Sequence, residues 1–243
     1  MNQEHVQELQ DVVIRFSGDS GDGMQLTGTL FSDTSALMGN GISTFPDYPA
    51  EIRAPQGTVA GVSGFQVHFG ARRVTNPGDY CDVLVAMNPA ALKANRRWLK
   101  AGATVIIDGD SLTETNLRKA GFTTDDPIAE LGLDGHNLVV PGITTMTREA
   151  LKELELDNKS VVKCKNMFAL GICFYLFHRP EDHAKKYLDS KFPPQTHRRP
   201  PAGRADGGST GSVPAPAAAA GSGLLQRYWD YQNRTPHGRA FPH

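Results

Sequence analysis

The 243-residue chain has no run approaching the roughly 20 apolar residues that a membrane span needs. Its first eight residues, Met1 to Glu8, are polar and lack the apolar core of a signal peptide. Charge of one sign is also missing. Lys and Arg total 25 against 26 Asp and Glu, a formal charge of -1, which argues against nucleic acid as a partner. Cysteine is scarce: Cys81, Cys164 and Cys173 are too few and too far apart for a disulfide framework. With no C-x-x-C pair, they also supply no zinc or iron–sulfur motif, so no metal site is expected. The reading is a cytoplasmic protein, with no membrane contact and with thiols that serve as small core residues.

Lysine disappears altogether after Lys191. Residues 193–243 hold six Arg, no Lys and two Asp, for a charge of +4, whereas residues 1–192 carry -5. The same 51 residues contain 8 of the 16 prolines, and their only branched aliphatic residues are Val213, Leu224 and Leu225. A Pro/Ala/Gly/Arg stretch of this kind buries too little surface to offset its ordering entropy. Residues 193–243 are therefore predicted to be a disordered tail, with one short helix-competent patch at Leu224 to Tyr231. Two origins fit it: a flexible extension, or the product of a shifted frame in GC-rich coding sequence.

Residues 10–192 alternate between strand-like and helix-like pieces. Asp11 to Phe16 is a short β-rich run. Met24, Leu30, Phe31, Leu37 and Met38 lie on one broad helical face that Gly39-Asn40-Gly41 ends. Ile42 to Phe45 is extended. Ser63 to Gly70 alternates Phe65, Val67 and Phe69 with Gln66 and His68, the pattern of a half-exposed strand. Asp82 to Met87, Ala103 to Asp108 and Asn137 to Val140 are continuous apolar runs, read as buried parallel strands. Helices are expected from Pro89 to about Lys100, from Thr145 to Leu156, from Asn166 to His178 and from Glu181 to Lys191. This order implies an α/β fold, an open and mostly parallel sheet with helices on both faces and ligands at the carboxyl ends of its strands.

The segment with the clearest chemistry is Ser17-Gly18-Asp19-Ser20-Gly21-Asp22-Gly23, between the first strand and the first helix. Glycines there let the backbone turn tightly, and a helix start offers N–H groups to an anion. Positive φ is expected at Gly21 and Gly23. The spacing G-x-x-G-x-G is not the dinucleotide fingerprint G-x-G-x-x-G, and no lysine completes a P-loop. Asp19 and Asp22 would repel a diphosphate. Gly21-Asp22-Gly23 also opens like a thiamine-diphosphate metal motif, but Pro49 to Ala54, where an asparagine ligand for Mg²⁺ should fall, contains none. A plain strand-to-helix turn fits the segment about as well as a ligand loop.

Other residues carry paired readings. Arg53 is either a bidentate clamp for an anion or a structural residue that pairs with Glu51 or caps a neighbouring loop, the structural role slightly favoured. Asn88, before Pro89, stands at a strand end where ligands bind, or simply caps a helix. Asp108 and Asp110 end another strand, and helix capping suits them better than a ribose contact. His68 reads as a surface or interface residue. Cys164 and Cys173 bracket a buried helix start and need no redox role. No catalytic residue emerges.

The strings FSGDSGDGMQLTG, FPDYPAEIRAPQGTVAGVSGFQVHFG and DVLVAMNPAALK, followed by ATVIID, resemble the gamma domain of the 2-oxoacid:ferredoxin oxidoreductases over about residues 10–192. The likeness is strongest to the domain fused at the N-terminus of the 2-oxoglutarate-type alpha subunit. It implies a Rossmann-like fold and a subunit role in oxidative decarboxylation of a 2-oxoacid to acyl-CoA with ferredoxin as acceptor. It also implies a beta-subunit partner that carries thiamine diphosphate, Mg²⁺ and the iron–sulfur cluster. The Tyr-Pro-Ile-Thr-Pro motif of such alpha subunits is absent, so the chain looks truncated and inactive alone. By the same resemblance, CoA is the ligand expected at Gly18, Asp19, Ser20, Gly21, Asp22 and Gly23, with Arg53 and Asn88 nearby. The alternative is a stand-alone Rossmann-like module that binds CoA or a nucleotide without catalysis.

Overall fold

The computed structural model describes residues 9–51, 54–152 and 157–191. Arg53 and the whole 193–243 segment, including Leu224 to Tyr231, lie outside the described residues.

Among the described residues six strands form one sheet: β1 (Asp11–Asp19), β2 (Gly41–Asp47), β3 (Val62–Gly70), β4 (Cys81–Ala86), β5 (Leu99–Ile107) and β6 (Asn137–Val139). Their spatial order is β2-β3-β1-β4-β5-β6. β1, β4, β5 and β6 pair in parallel, while β3 runs antiparallel to both of its neighbours. β3 is therefore the one reversed strand among the described residues, and the mostly parallel α/β sheet expected from the sequence is what forms.

Alternation along β1 explains the two covered faces. Val12, Ile14 and Phe16 join Val83, Val85 and Ile106 under α1 (Met24–Leu37), α5 (Ile143–Leu151), α6 (Asn158–Lys163), α7 (Lys165–Leu176) and α8 (Asp182–Lys191). Val13 joins Leu84, Val105 and Ile107 on the other face, under α2 (Pro89–Asn95) and the segment around α4 (Pro127–Leu131). α3 (Glu114–Lys119) packs beside α2 through Leu117 and Ala90. Phe31 is the aromatic hub of the first face, with the rings of Phe16, Phe69, Phe174 and Phe177 between 5.3 and 6.1 Å away, within the range of favourable edge and tilted pairs.

Several local expectations change. The helix at Pro89 stops at Asn95 rather than near Lys100, because a short 3₁₀ turn at Arg96–Trp98 leads directly into β5 at Leu99. β3 is not half-exposed: strands flank it on both sides, and the alternate residue Gln66 is buried. His68 is mostly covered too, held by the Asn76 carbonyl at 2.7 Å and Asp11 at 3.3 Å. β6 is an edge strand and only partly buried, with Val140 exposed beyond it. Leu37 and Met38 face solvent, so the buried face of α1 ends at Ser35. α5 begins at Ile143, two residues before the expected Thr145.

The sheet contains a buried cation. Arg15, only 7% exposed, sits in the middle of β1 on the α2 face. Its Nε donates to Asn95 Oδ1 at 2.5 Å, Nη1 donates to Gln66 Oε1 at 3.0 Å, and Nη2 pairs with Asp47. Asn95 also donates to Ser17 Oγ (2.8 Å) and the Ala91 carbonyl (2.7 Å). Gln66 Nε2 donates to the carbonyls of Pro77 (2.8 Å) and Gly78 (2.6 Å). Asp47 is 43% exposed at its side chain, so its charge is largely screened, whereas Asn95 and Gln66 have no water to turn to. Arg15→Leu is expected to cost about 3 kcal/mol through the stranded acceptors, and Asp47→Asn less than about 1 kcal/mol. Urea unfolding at unchanged m-value measures both; equal losses would show that the ion pair matters more than the buried amides.

Candidate functional site

The crossovers run outward from the middle of the sheet. α1 carries the chain from β1 toward β2, and α2 carries it from β4 toward β5 on the opposite face. The carboxyl ends of β1 and β4 therefore diverge at a switch point, where α/β sheets open a crevice. The glycine loop leaves β1 at this place, and Asn88 leaves β4 at the same level. Met87 N–H donates to the Ser17 carbonyl at 2.9 Å, and a Cβ on Gly18 would stand 3.2 Å from Met87 Cβ. The fold thus brings Gly18, Asp19, Ser20, Gly21, Asp22 and Gly23 together with Asn88.

Each loop residue has a local reason for its place. Gly23 lies in the left-handed region, φ 73°, and forms the N-cap of α1 with no side-chain cap bond. A Cβ at Gly23 would collide with Asn166 Nδ2. Gly21 differs from the expectation: its φ is not in the left-handed region, and its nearest neighbour, Gln56 Nε2, would be 3.8 Å from a Cβ. The turn takes its positive φ at Gly23 alone, because Asp22 N–H already closes it onto the Asp19 carbonyl at 2.9 Å.

Both acids are engaged by local contacts. Asp19 accepts the Gly57 N–H at 3.1 Å on both oxygens, which ties the β2–β3 connection over the loop. Asp22 turns inward, where its Oδ2 accepts the Asp19 N–H at 2.9 Å and its Oδ1 stands 3.7 Å from Lys165 Nζ. Burial pushes the Asp22 carboxyl above its ordinary range; Lys165 opposes that shift, and the Asp19 charge adds to it. Asn88 caps α2, accepting the Ala91 N–H at 2.8 Å, so the capping reading describes its side chain.

Asp108, fully buried, accepts the Thr144 hydroxyl at 2.6 Å, the Thr144 N–H at 3.3 Å and the Asp110 N–H at 3.2 Å. Asp110 accepts the Thr145 N–H at 2.6 Å. Together they cap the start of α5 and the 3₁₀ turn at Gly109–Ser111. Burial raises the Asp108 carboxyl as well. Lys165 and Asn166, at the start of α7, are the loop's neighbours that sequence reasoning missed. The string KCKN does not reveal that it meets a loop more than 140 residues earlier.

Among the described residues no group of three or more His, Cys, Asp or Glu could hold a metal ion. Cys81 lies under α2, while Cys164 and Cys173 lie on the other face. Burial pushes the Cys81 thiol up to about 11 and the Cys164 thiol up to about 12. The Lys165 ammonium stands beside Asp22, where a Mg²⁺ bound to Gly-Asp-Gly would have to sit, so these residues do not fit a thiamine-diphosphate metal site.

Comparison with known proteins shows the family. Residues 13–198 match the family model described as pyruvate ferredoxin/flavodoxin oxidoreductase. The chain belongs to this pyruvate ferredoxin/flavodoxin oxidoreductase family. Within it, the chain is 46% identical over 186 residues to the 2-oxoglutarate oxidoreductase subunit KorA of Mycobacterium tuberculosis, covering 76% of this chain and 28% of that protein. It therefore spans little more than a quarter of that relative's length. The 2-oxoglutarate:ferredoxin oxidoreductase of Magnetococcus marinus, solved with 2-oxoglutarate, coenzyme A and succinyl-CoA bound, has the same fold. Its TM-score is 0.58, with 24% identity over 90% of this chain and 32% of that one. The gamma subunit of a keto/oxoacid ferredoxin oxidoreductase from Geobacter sulfurreducens matches with TM-score 0.56 and 18% identity, over 90% of this chain and 96% of that one. Among the described residues no helix is long and apolar enough to cross a membrane.

Two consequences are measurable. Gly23→Val forces a β-branched side chain into positive φ and onto Asn166, and is expected to cost about 2 kcal/mol or more, whereas Gly21→Ala stays within about 0.5 kcal/mol. Chemical denaturation separates them; equal cost would remove the distinction. The second concerns pH. A folded pKa above the ordinary 3.8 means that the folded state binds the Asp22 proton more tightly than the unfolded chain does. Stability then falls as pH rises from the ordinary value through the folded one, and Asp108 contributes with the same sign. Asp22→Asn is expected to raise Tm more at about pH 7.5 than at about pH 4. A pH-independent difference would contradict the assignment.

Proposed function

We propose that residues 10–192 act as the gamma domain of a 2-oxoacid:ferredoxin oxidoreductase of the 2-oxoglutarate type, contributing ligand binding rather than chemistry. The 46% identity to KorA carries the substrate class. The ligand of the switch-point crevice is CoA, whose phosphates meet the backbone N–H groups at the uncapped start of α1. Gly18 to Gly23 form the cradle, with Asn88 as the far wall. Lys165 supplies the nearby positive charge, and Arg53, on the connection that Gly57 ties to Asp19, is the second cation.

In this reading the chain positions an acyl acceptor for a reaction completed elsewhere. Thiamine diphosphate, Mg²⁺ and the iron–sulfur cluster belong to a beta subunit, and ferredoxin takes the electrons through the assembled complex, in the cytoplasm. The domain ends near Phe192.

An amide-resolved NMR titration with CoA is the direct test. Saturable shifts are expected at Gly18 to Gly23 and at Asn88, with binding weakened at least about tenfold in Gly21→Asp, which adds negative charge to a loop position with room for a side chain. The chain alone is expected to reduce no viologen when supplied with 2-oxoglutarate, CoA, thiamine diphosphate and Mg²⁺. CoA shifts confined to other surfaces would refute the cradle, and turnover by the chain alone would refute the division of labour.

A further inference from the structure

At the opposite end of the sheet, the amino ends of β1, β4, β5 and β6 border a cavity of about 710 Å³, within the size range of small-molecule sites. It shares no residue with the switch-point crevice. Its apolar lining includes Val12, Phe69, Leu176 and Phe177, and its charged residues are Asp82, Lys100 and Arg179.

The charges are unequal in what they lack. Lys100 Nζ donates to both Asp82 oxygens at 2.8 Å, and Asp82 also accepts the Val13 N–H at 2.8 Å, so that pair is internally satisfied. Arg179 is different. Its guanidinium lies over the Phe69 ring at 5.0 Å, Nη1 reaches only the weak acceptor Met38 Sδ at 3.2 Å, and the buried Nε has no partner. No carboxylate pairs with it among the described residues. A half-buried cation without an anion carries an unmet desolvation cost, and burial alone lowers its pKa.

The turn that stops α7 fixes where this guanidinium stands. His178 is the only non-glycine residue with positive φ among the described residues, at 49°. It ends α7 and turns the Arg179 N–H onto the Phe174 carbonyl at 2.8 Å. Glycine would make this turn without the cost of a left-handed Cβ. An uncompensated guanidinium and a cavity with an apolar lining therefore meet at one place.

We propose that this cavity binds a small amphipathic anion, a carboxylate on an apolar body, with the carboxylate at Arg179 and the body against Phe69, Leu176 and Phe177. Asp82 does not oppose such a ligand, because Lys100 already neutralises it. The recognition is stoichiometric binding; no bond is made or broken.

Decanoate, below its micelle-forming concentration, tests this on the full chain. Saturable amide shifts are expected at Phe69, Gly102 and Arg179, with a rise in Tm. Decanol, which keeps the body and drops the charge, is expected to bind at least about tenfold more weakly, and Arg179→Gln to abolish the difference between the two. Ala101→Trp, an exposed substitution at the mouth, is expected to block decanoate without lowering the Tm of the free protein; it carries the test if Arg179→Gln fails to fold. Absence of saturable shifts there, equal binding of decanoate and decanol, or indifference to Ala101→Trp would each overturn the proposal. So would a beta subunit that protects the same amides while decanoate neither binds nor competes, since the cavity would then be part of a protein interface.

Discussion

The sheet is organised around a guanidinium that is almost wholly withdrawn from bulk water. Arg15 sits on the central strand and joins β1 to β3 through Gln66, to the end of β2 through Asp47, and to α2 through Asn95. A buried cation is tolerable only when its donors are met and its partners are met in turn. Here Gln66 passes the chain of bonds to Pro77 and Gly78, and Asn95 passes it to Ser17 and Ala91. Slipping β3 by one residue would turn Gln66 to the opposite face and strand Arg15, so the network specifies register as well as stability.

That register has consequences at the carboxyl end. The connection between Asp47 and Val62 reaches beyond β3 to the end of β1, where Gly57 meets Asp19. The glycine loop is therefore held from above by this connection and from the side by Lys165 and Asn166. Asp22 is the least comfortable member of the arrangement. Its ionised form is disfavoured by burial, yet it closes the turn, a local cost of the kind that collects at ligand sites.

Much of this was legible in the sequence, for physical reasons. The apolar runs at Asp82 to Met87 and Ala103 to Asp108 mark strands covered on both faces, and Pro89 marks a helix start. Gly18 to Gly23 falls between a strand and a helix and thus at a strand end. What stayed hidden was long-range. Gln66 looks like a solvent-facing residue until Arg15 is known to lie opposite it. The α2 pattern continues past Asn95, but the chain there is claimed by pairing with β4. Gly21 and Gly23 read identically in the string, and only the closed turn and Asn166 distinguish them.

The placement of the three thiols gives the molecule a pair of internal clocks. Cys81 is covered by the α2 layer, and Cys164 and Cys173 by the layer of α1 and α5 to α8; all three are buried. A buried thiol with a raised pKa offers almost no thiolate to an alkylating reagent while its cover is closed. The rate at which Cys81 becomes modified therefore reports how often one layer lifts from the sheet, and the rate at the other two reports the second layer. Two opening free energies can be read from one unaltered polypeptide.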